Sequence, residues 1–316
     1  MGAQLTTAYI NRIATGVPPH DVHDAFLRFA QSMFGDNRRN AILFRRMSER
    51  AGIEHRYSCL APASDPCSRA IDADAFYTRG DFPDTAARMR AFEAHAPALG
   101  AATIERLQLG SARDRITHFL ITCCTGFSAP GLDLELVERC NLPSSVERTM
   151  IGFMGCYAAI NALKLARHIV RSEPEARVLI LNLELCTLHL KETTDLEQVL
   201  SFLLFGDGCA ACLVSAEPRG AAIDSFRAEL VPDTRDLITW RIRDFGFDMV
   251  LSGHVPTAIH EALRVRKDDI LRGAPTQSID LWAIHPGGRS VLDAVERAFN
   301  LAPSALAVSR DVLRRY

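Results

Sequence analysis

Four runs of consecutive, mainly apolar residues punctuate the chain: His118–Thr125 (HFLITCCT), Val178–Leu185 (VLILNLEL), Cys209–Ser215 (CAACLVS) and Leu281–Ile284 (LWAI). Unbroken runs, rather than strict alternation, predict strands buried on both faces. Ala8–Ile13 reads as the first strand of the fold. From Cys156 to Val170, the positions Ile160, Leu163, Leu165, Ala166, Ile169 and Val170 spread apolar surface around much of a helix, which predicts burial. Pro174 follows and helps to stop that helix. Ser290–Phe299 reads as an amphipathic helix leaving a Gly-Gly turn. Alternating strands and helices imply layered α/β architecture. Residues 63–90 are polar and rich in turn formers, so they read as a surface excursion. A break in composition at Glu217–Ala221 (EPRGA) divides the chain into 1–217 and 218–316.

Composition narrows the function classes. The 316 residues are 48% apolar and 23% charged, with a net charge of -2. That balance is globular, and it gives no electrostatic footprint for nucleic acid or an anionic membrane. Nine cysteines, an odd number, argue against a secreted disulfide framework and for reduced thiols in the cytoplasm. The first residues have no basic stretch ahead of an apolar core, and no run reaches the roughly 20 apolar residues of a membrane helix. Met1-Gly2 with Thr6 formally fits a myristoylation pattern, a weak signal beside the strand expected at Ala8–Ile13.

The strongest chemical signal is Met150–Ala159 (MIGFMGCYAA). A strand-like approach through glycines delivers Cys156 to the first turn of the buried helix. Unpaired N–H groups there favour a thiolate and predict a lowered thiol pKa. Gly155 allows a sharp turn and leaves room beside the sulfur. A buried structural cysteine is the competing reading of this segment alone. His285 changes the balance. It ends LWAI and precedes Pro286-Gly287-Gly288, which predicts an imidazole at a strand's carboxyl end, where α/β sheets place ligands. A thiolate paired with an imidazole is a standard activated nucleophile.

Other candidates read more plainly. His20-x-x-His23 lacks further residues at metal-ligand spacing, so no metal is expected. In Leu204–Gly208 (LFGDG), Phe205 supplies an apolar wall and Asp207 reads as a turn former. Cys209-x-x-Cys212 has redox spacing but sits in a strand, where residues three apart point to opposite faces, so core packing is expected. No phosphate-cradling glycine motif is present.

GFMGCYAA, LFGDG and HPGG, in this order and spacing, resemble the type III polyketide synthases, the chalcone synthase-like family, in its bacterial form. The likeness extends through Phe44–Tyr57 (FRRMSERAGIEHRY), Cys123–Gly131 (CCTGFSAPG) and Arg177–Leu185 (RVLILNLEL). It implies a thiolase-like layered αβαβα fold of two similar halves, working as a homodimer without metal or redox cofactor. By position, Cys156 resembles the acyl-accepting nucleophile and His285 the catalytic histidine. Phe205 matches a gatekeeper phenylalanine, and Met249 stands at the second gatekeeper position. Arg46 and Arg50 align with residues gripping CoA phosphates, a task suited to guanidinium groups, although arginines in a helical run are ordinarily solvated surface. A third basic position is Leu43, which shifts that role toward Arg45. The family's asparagine, in a Gly-Asn motif, is expected directly after Tyr316, so the second half reads as truncated at its C-terminus.

The implied chemistry is acyl transfer from acyl-CoA to Cys156, then decarboxylative condensation with malonyl-CoA and ring closure. Positions implied to line the cavity are Cys124, Thr125, Cys186, His189, Ser201 and Trp240. Trp240 replaces a glycine of plant chalcone synthases, while Cys186 and Ser201 are small enough to admit an acyl tail. A fatty acyl starter and an alkylresorcinol or alkylpyrone product are therefore expected. The alternatives are a ketoacyl-carrier-protein synthase or hydroxymethylglutaryl-CoA synthase type of condensing enzyme, and a non-catalytic acyl-binding protein.

Overall fold

The computed structural model describes residues 6–35 and 37–316; the Met1-Gly2 pattern lies outside them. Its strands are β1 (Tyr9–Gly16), β2 (His20–Asp21), β3 (Tyr57–Ser58), β4 (His118–Cys123), β5 (Glu147–Gly152), β6 (Arg177–Leu185), β7 (Asp207–Ser215), β8 (Ala221–Ala222), β9 (Ile238–Arg243) and β10 (Gly246–Leu251). Its α-helices are α1 (His23–Met33), α2 (Arg38–Ala51), α3 (Thr85–Arg106), α4 (Leu132–Arg139), α5 (Ala158–Ser172), α6 (Leu196–Leu204), α7 (Val255–Leu271), α8 (Arg289–Phe299) and α9 (Ala307–Arg315). Two compact units are built from interleaved segments. The first holds residues 1–19, 84–189 and 207–226; the second holds 20–83, 190–206 and 227–316. Each unit takes three stretches of chain.

The first unit is a six-stranded mixed sheet in the order β5-β4-β6-β7-β1-β8. β4 runs parallel to β5 and β6, whereas β7 is antiparallel to β6 and β1. Every residue of β4 is buried, as its unbroken apolar run predicts. Side chains on β6 alternate in direction. Val178 and Ile180 join a core with Ala162, Ala166 and Val170 of α5. On the opposite face Leu181 packs against Gly100 of α3, close enough that a Cβ there would lie 3.3 Å from its Cδ2. The sheet is thus covered on both sides. α5 buries Ala158, Ala162, Ala166 and Val170 at four-residue spacing and leaves Ile160 exposed, so it is less enclosed than its composition suggests.

The second unit packs α6 against α1 and α2 through Ala30, Phe34, Phe44 and Val199. A further core joins Leu271, Leu292, Val295, Phe299, Leu306 and Leu313 from α7, α8, α9 and their connections. β9 and β10 form a hairpin in which Trp240 faces Met249 across the ladder. α8 begins at Arg289, one residue from the expected start.

Three expectations need correction. Leu281–Ile284 is not a strand: among the described residues it has no ladder partner, and the Ile284 N–H bonds Ser309 Oγ instead (3.1 Å). Trp282 and Ile284 pack on the core while Leu281 is 88% exposed, so the run is one-faced. Asp207 is no turn former but the first residue of β7, where its buried carboxylate accepts the Thr187 N–H and hydroxyl, both at 2.8 Å. Residues 63–90 are not wholly peripheral. Buried Asp72 gathers the N–H groups of Asp74, Phe76 and Tyr77, and α3 starts at Thr85 behind an Asp84 cap.

Candidate active site

In the first unit, Cys156 sits between β5 and α5. Phe153 (φ +53°) and Gly155 (φ +58°) take left-handed conformations that reverse the chain, and a 3₁₀ turn, Gly155–Tyr157, leads into α5. A Cβ added to Gly155 would meet nothing within 4 Å, so the space beside the thiol is open. Cys156 is exposed. Its thiol pKa is nevertheless raised, first by desolvation and then by the negative field of Glu184, which outweigh the N–H groups of the turn. The lowered value expected from the helix start alone is therefore reversed.

Glu184, near the end of β6, is the residue that sequence reasoning missed. Its carboxylate accepts the Cys124 N–H (2.9 and 3.0 Å) and the Thr125 hydroxyl (2.7 Å). Thr125 Oγ1 in turn accepts the Leu185 N–H (2.9 Å). Burial pushes the carboxyl up to about 7 in spite of those donors. One signal was available: a charged residue inside a run otherwise buried on both faces requires partners.

Of the other expected positions in this unit, Cys124 and Cys186 lie in the field of the same carboxylate. The Gly155 N–H donates to Cys124 Sγ (3.3 Å), tying β4's end to the Cys156 turn. Burial lifts Cys124 to about 11 and drives Cys186 well above its ordinary value, with Glu184 adding in both cases. His189 is fully buried and donates Nε2–H to the Thr125 carbonyl (2.7 Å). Cys209 and Cys212 lie in β7, buried, with thiols pushed up to about 12. They pack the core, as their strand position predicts.

The second unit carries His285, Phe205, Met249, Trp240, Ser201, Arg46 and Arg50. His285 stands one residue beyond the one-faced run and keeps more than a third of its surface exposed, although its surroundings desolvate the ring enough to lower its pKa. Gly287 lies under it: a Cβ there would come within 3.5 Å of the ring. Phe205 caps α6. The preceding carbonyl, of Leu204, accepts from buried Arg56 (2.9 Å), which also holds the His55 and Leu313 carbonyls at 2.7 and 3.0 Å. Desolvation brings this guanidinium down to about 10. Trp240 meets Phe247 edge-on at 5.6 Å.

A cavity of about 930 Å³ lies within this unit, walled by Met47, Leu200, Leu204 and Leu251, with Arg50, Ser201 and Arg289 on its lining. Gly288, also on the lining, precedes α8 without a side-chain cap. Open helix N–H groups and two guanidinium groups suit an anion. Arg46 is exposed and stands off this lining. Among the described residues no group of three or more His, Cys, Asp or Glu is placed to hold a metal ion. No helix among them is long and apolar enough to cross a membrane.

Residues 5–218 match the family model "Chalcone and stilbene synthases, N-terminal domain", and residues 222–316 match that for the C-terminal domain. The chain belongs to the chalcone and stilbene synthase family. It is similar to "Alpha-pyrone synthesis polyketide synthase-like Pks18" of Mycobacterium tuberculosis, with 31% identity over 324 residues, covering 98% of this chain and 80% of Pks18. Among solved structures, PKS-I of the brown alga Ectocarpus siliculosus superposes with a TM-score of 0.88 at 28% identity, covering 100% of this chain and 86% of that one. The 1,3,6,8-tetrahydroxynaphthalene synthase of Streptomyces coelicolor A3(2), a bacterial type III polyketide synthase, gives 0.85 at 26% identity, covering 98% and 86%. The fold is therefore the thiolase-like α/β fold of the type III polyketide synthases. The chain is accordingly a type III polyketide synthase, an acyltransferase that forms carbon–carbon bonds. Members of this family use CoA thioesters, acyl-CoA and malonyl-CoA, and need no cofactor.

Proposed function

We propose that this synthase loads a fatty acyl group from CoA onto Cys156, extends it with malonyl-CoA and closes the product as an alkylpyrone or alkylresorcinol. The observation that carries this reading is the exposed Cys156 thiol on an open left-handed turn at the head of α5. The thiolate attacks the acyl-CoA carbonyl, the carbon–sulfur bond to CoA breaks, and CoA leaves as its thiolate, which takes up the proton that Cys156 gave up on ionising. Malonyl-CoA loses carbon dioxide, and the electron pair left on the α-carbon is delocalised onto the thioester oxygen. His285 stabilises that oxyanion. The α-carbon then attacks the Cys156 thioester and releases the thiolate for another round.

The pyrone product is supported by the printed name of Pks18, which associates a relative with α-pyrone synthesis. Arg50, Arg289 and the start of α8 suit the CoA phosphates, and Arg46 serves from the exposed face of α2. Phe205 and Met249 act as gatekeepers, and Trp240 limits how the tethered chain bends. A homodimer suits the outer edge of β5, where Met150 is exposed and Phe153 and Met154 follow exposed. The test is incubation with lauroyl-CoA and malonyl-CoA, with product identification by mass spectrometry. Alkylpyrones or alkylresorcinols with carbon dioxide release support the reading; condensation without decarboxylation refutes it.

A further inference from the structure

Two helices of the second unit end against the same short stretch of chain, residues 54–57, which follows α2. The last carbonyls of a helix have no partner within it and need donors from elsewhere. Arg56 supplies one to each helix. Its Nε donates to the Leu204 carbonyl at the end of α6 (2.9 Å), and its Nη1 donates to the Leu313 carbonyl in the last turn of α9 (3.0 Å). The Glu54 and His55 N–H groups hold the next carbonyl of α9, that of Arg314, at 2.8 and 3.2 Å. Phe205 follows Leu204 in an extended conformation (φ -99°, ψ 141°). On its far side Gly206 lies so close to the same stretch that a Cβ there would come to 3.1 Å from Arg56 Cδ and 3.3 Å from the Tyr57 backbone. Phe205 is thus fixed through both of its neighbours. The stretch itself is anchored: Asp21 Oδ1 accepts the Arg56 N–H (3.3 Å), Asp21 Oδ2 meets His55 Nδ1 (2.5 Å), and the Arg56 carbonyl accepts the Val22 N–H (2.7 Å).

Arg56 is 4% exposed, and its side chain bonds three backbone carbonyls, those of His55, Leu204 and Leu313. Burying a cation against neutral dipoles is costly. Desolvation lowers this one only to about 10, so it stays charged at neutral pH. What a guanidinium adds is reach: it donates from several nitrogens fixed in one plane, whereas an ammonium is a single point. We propose that Arg56 is the positioning residue of the Phe205 gate, its guanidinium locking the turn at residues 204–206 to the end of α9 so that the aromatic wall keeps one position as CoA thioesters pass. This rests on the reading of Phe205 as a gatekeeper. Arg56 acts through the backbone on either side of that ring. Lysine in its place keeps the charge but loses the planar fork, which releases one of the two helix ends.

The experiment is steady-state kinetics with lauroyl-CoA and malonyl-CoA for wild type, Arg56→Lys, Phe205→Ala and the double variant, with urea unfolding of each as the measure of folding. Arg56→Lys should raise KM for malonyl-CoA by on the order of fivefold, with kcat within about twofold of wild type. KM does not depend on how much of a preparation is folded, so a merely structural arginine would lower the apparent kcat and leave KM alone. Phe205→Ala should raise KM as well, and adding Arg56→Lys to it should raise KM no further, because the two act as one unit. Gly206→Ala disturbs the turn from its other side while the buried cation stays, at a position that is not left-handed, and should shift KM in the same direction. An unchanged KM in folded Arg56→Lys, or in Gly206→Ala where the lysine variant does not fold, overturns the proposal. An unchanged KM in Phe205→Ala alone sinks the gatekeeper reading. Where Phe205→Ala has shifted KM, an Arg56→Lys effect undiminished in that background overturns only the assignment of Arg56.

Discussion

Replacing Glu184 by Gln should change how stability depends on pH, whatever the enzyme's substrate. In the fold the carboxyl titrates near 7, raised from an ordinary 4.5 by burial. The unfolded chain releases this proton about two and a half decades earlier. The sign follows from proton counting: between 4.5 and 7 the folded state binds more protons, so stability falls as pH rises. The contribution is fully present below 4.5 and lost once pH has passed 7. At about 1.4 kcal/mol per decade the loss is on the order of 3 kcal/mol, of which about 2–3 kcal/mol falls between pH 5 and 8. Glutamine keeps an acceptor for the Cys124 N–H but turns an amide toward the Thr125 hydroxyl, a mismatch costing about 1 kcal/mol at every pH. The slope is therefore diagnostic and the absolute value is not. Urea unfolding followed by circular dichroism at pH 5, 6, 7 and 8 measures it. The wild type should lose about 2–3 kcal/mol more than Glu184→Gln across that range. Parallel profiles would show that the carboxyl does not titrate near neutrality and would refute the reasoning.

Two further substitutions probe other parts of the account. Gly126→Ala brings a Cβ to 2.1–2.4 Å from the ring of buried Phe92, so the ring must shift, at a cost of about 1–3 kcal/mol in urea unfolding; an unchanged midpoint contradicts the packing. Trp240→Gly removes an edge-on aromatic contact worth about 0.5–1.5 kcal/mol, so the variant should stay folded and load acyl groups while changing the ratio or length of products. The same products in the same ratio would show that Trp240 does not shape the chain.

The sheet of the first unit was legible because its strands are buried on both faces: HFLITC and VLIL admit no other economical reading. LWAI looked the same but folds as a one-faced segment, since a four-residue run carries no record of whether a neighbouring strand is present. Asp207 shows a related limit. Its flanking glycines suggest a turn, yet the decisive fact is the distant Thr187, 20 residues away, which satisfies its carboxylate. Cys156 and its open turn could be read from the glycines and the helix that follows. The direction of its pKa could not, because it depends first on how far the folded surroundings desolvate the thiol and then on the field of Glu184, neither of which the local motif shows. The interleaving of chain segments between the two units is likewise a property of long-range packing that no composition break at residue 217 reveals.

The measurement closest to the central claim is peptide mapping after brief exposure to lauroyl-CoA, in wild type, Cys156→Ala and His285→Ala. The account predicts a lauroyl thioester on Cys156 in the wild type and none in Cys156→Ala. In His285→Ala it predicts a lauroyl thioester on Cys156 that is not extended with malonyl-CoA. A thioester on another cysteine with Cys156 unmodified would contradict it.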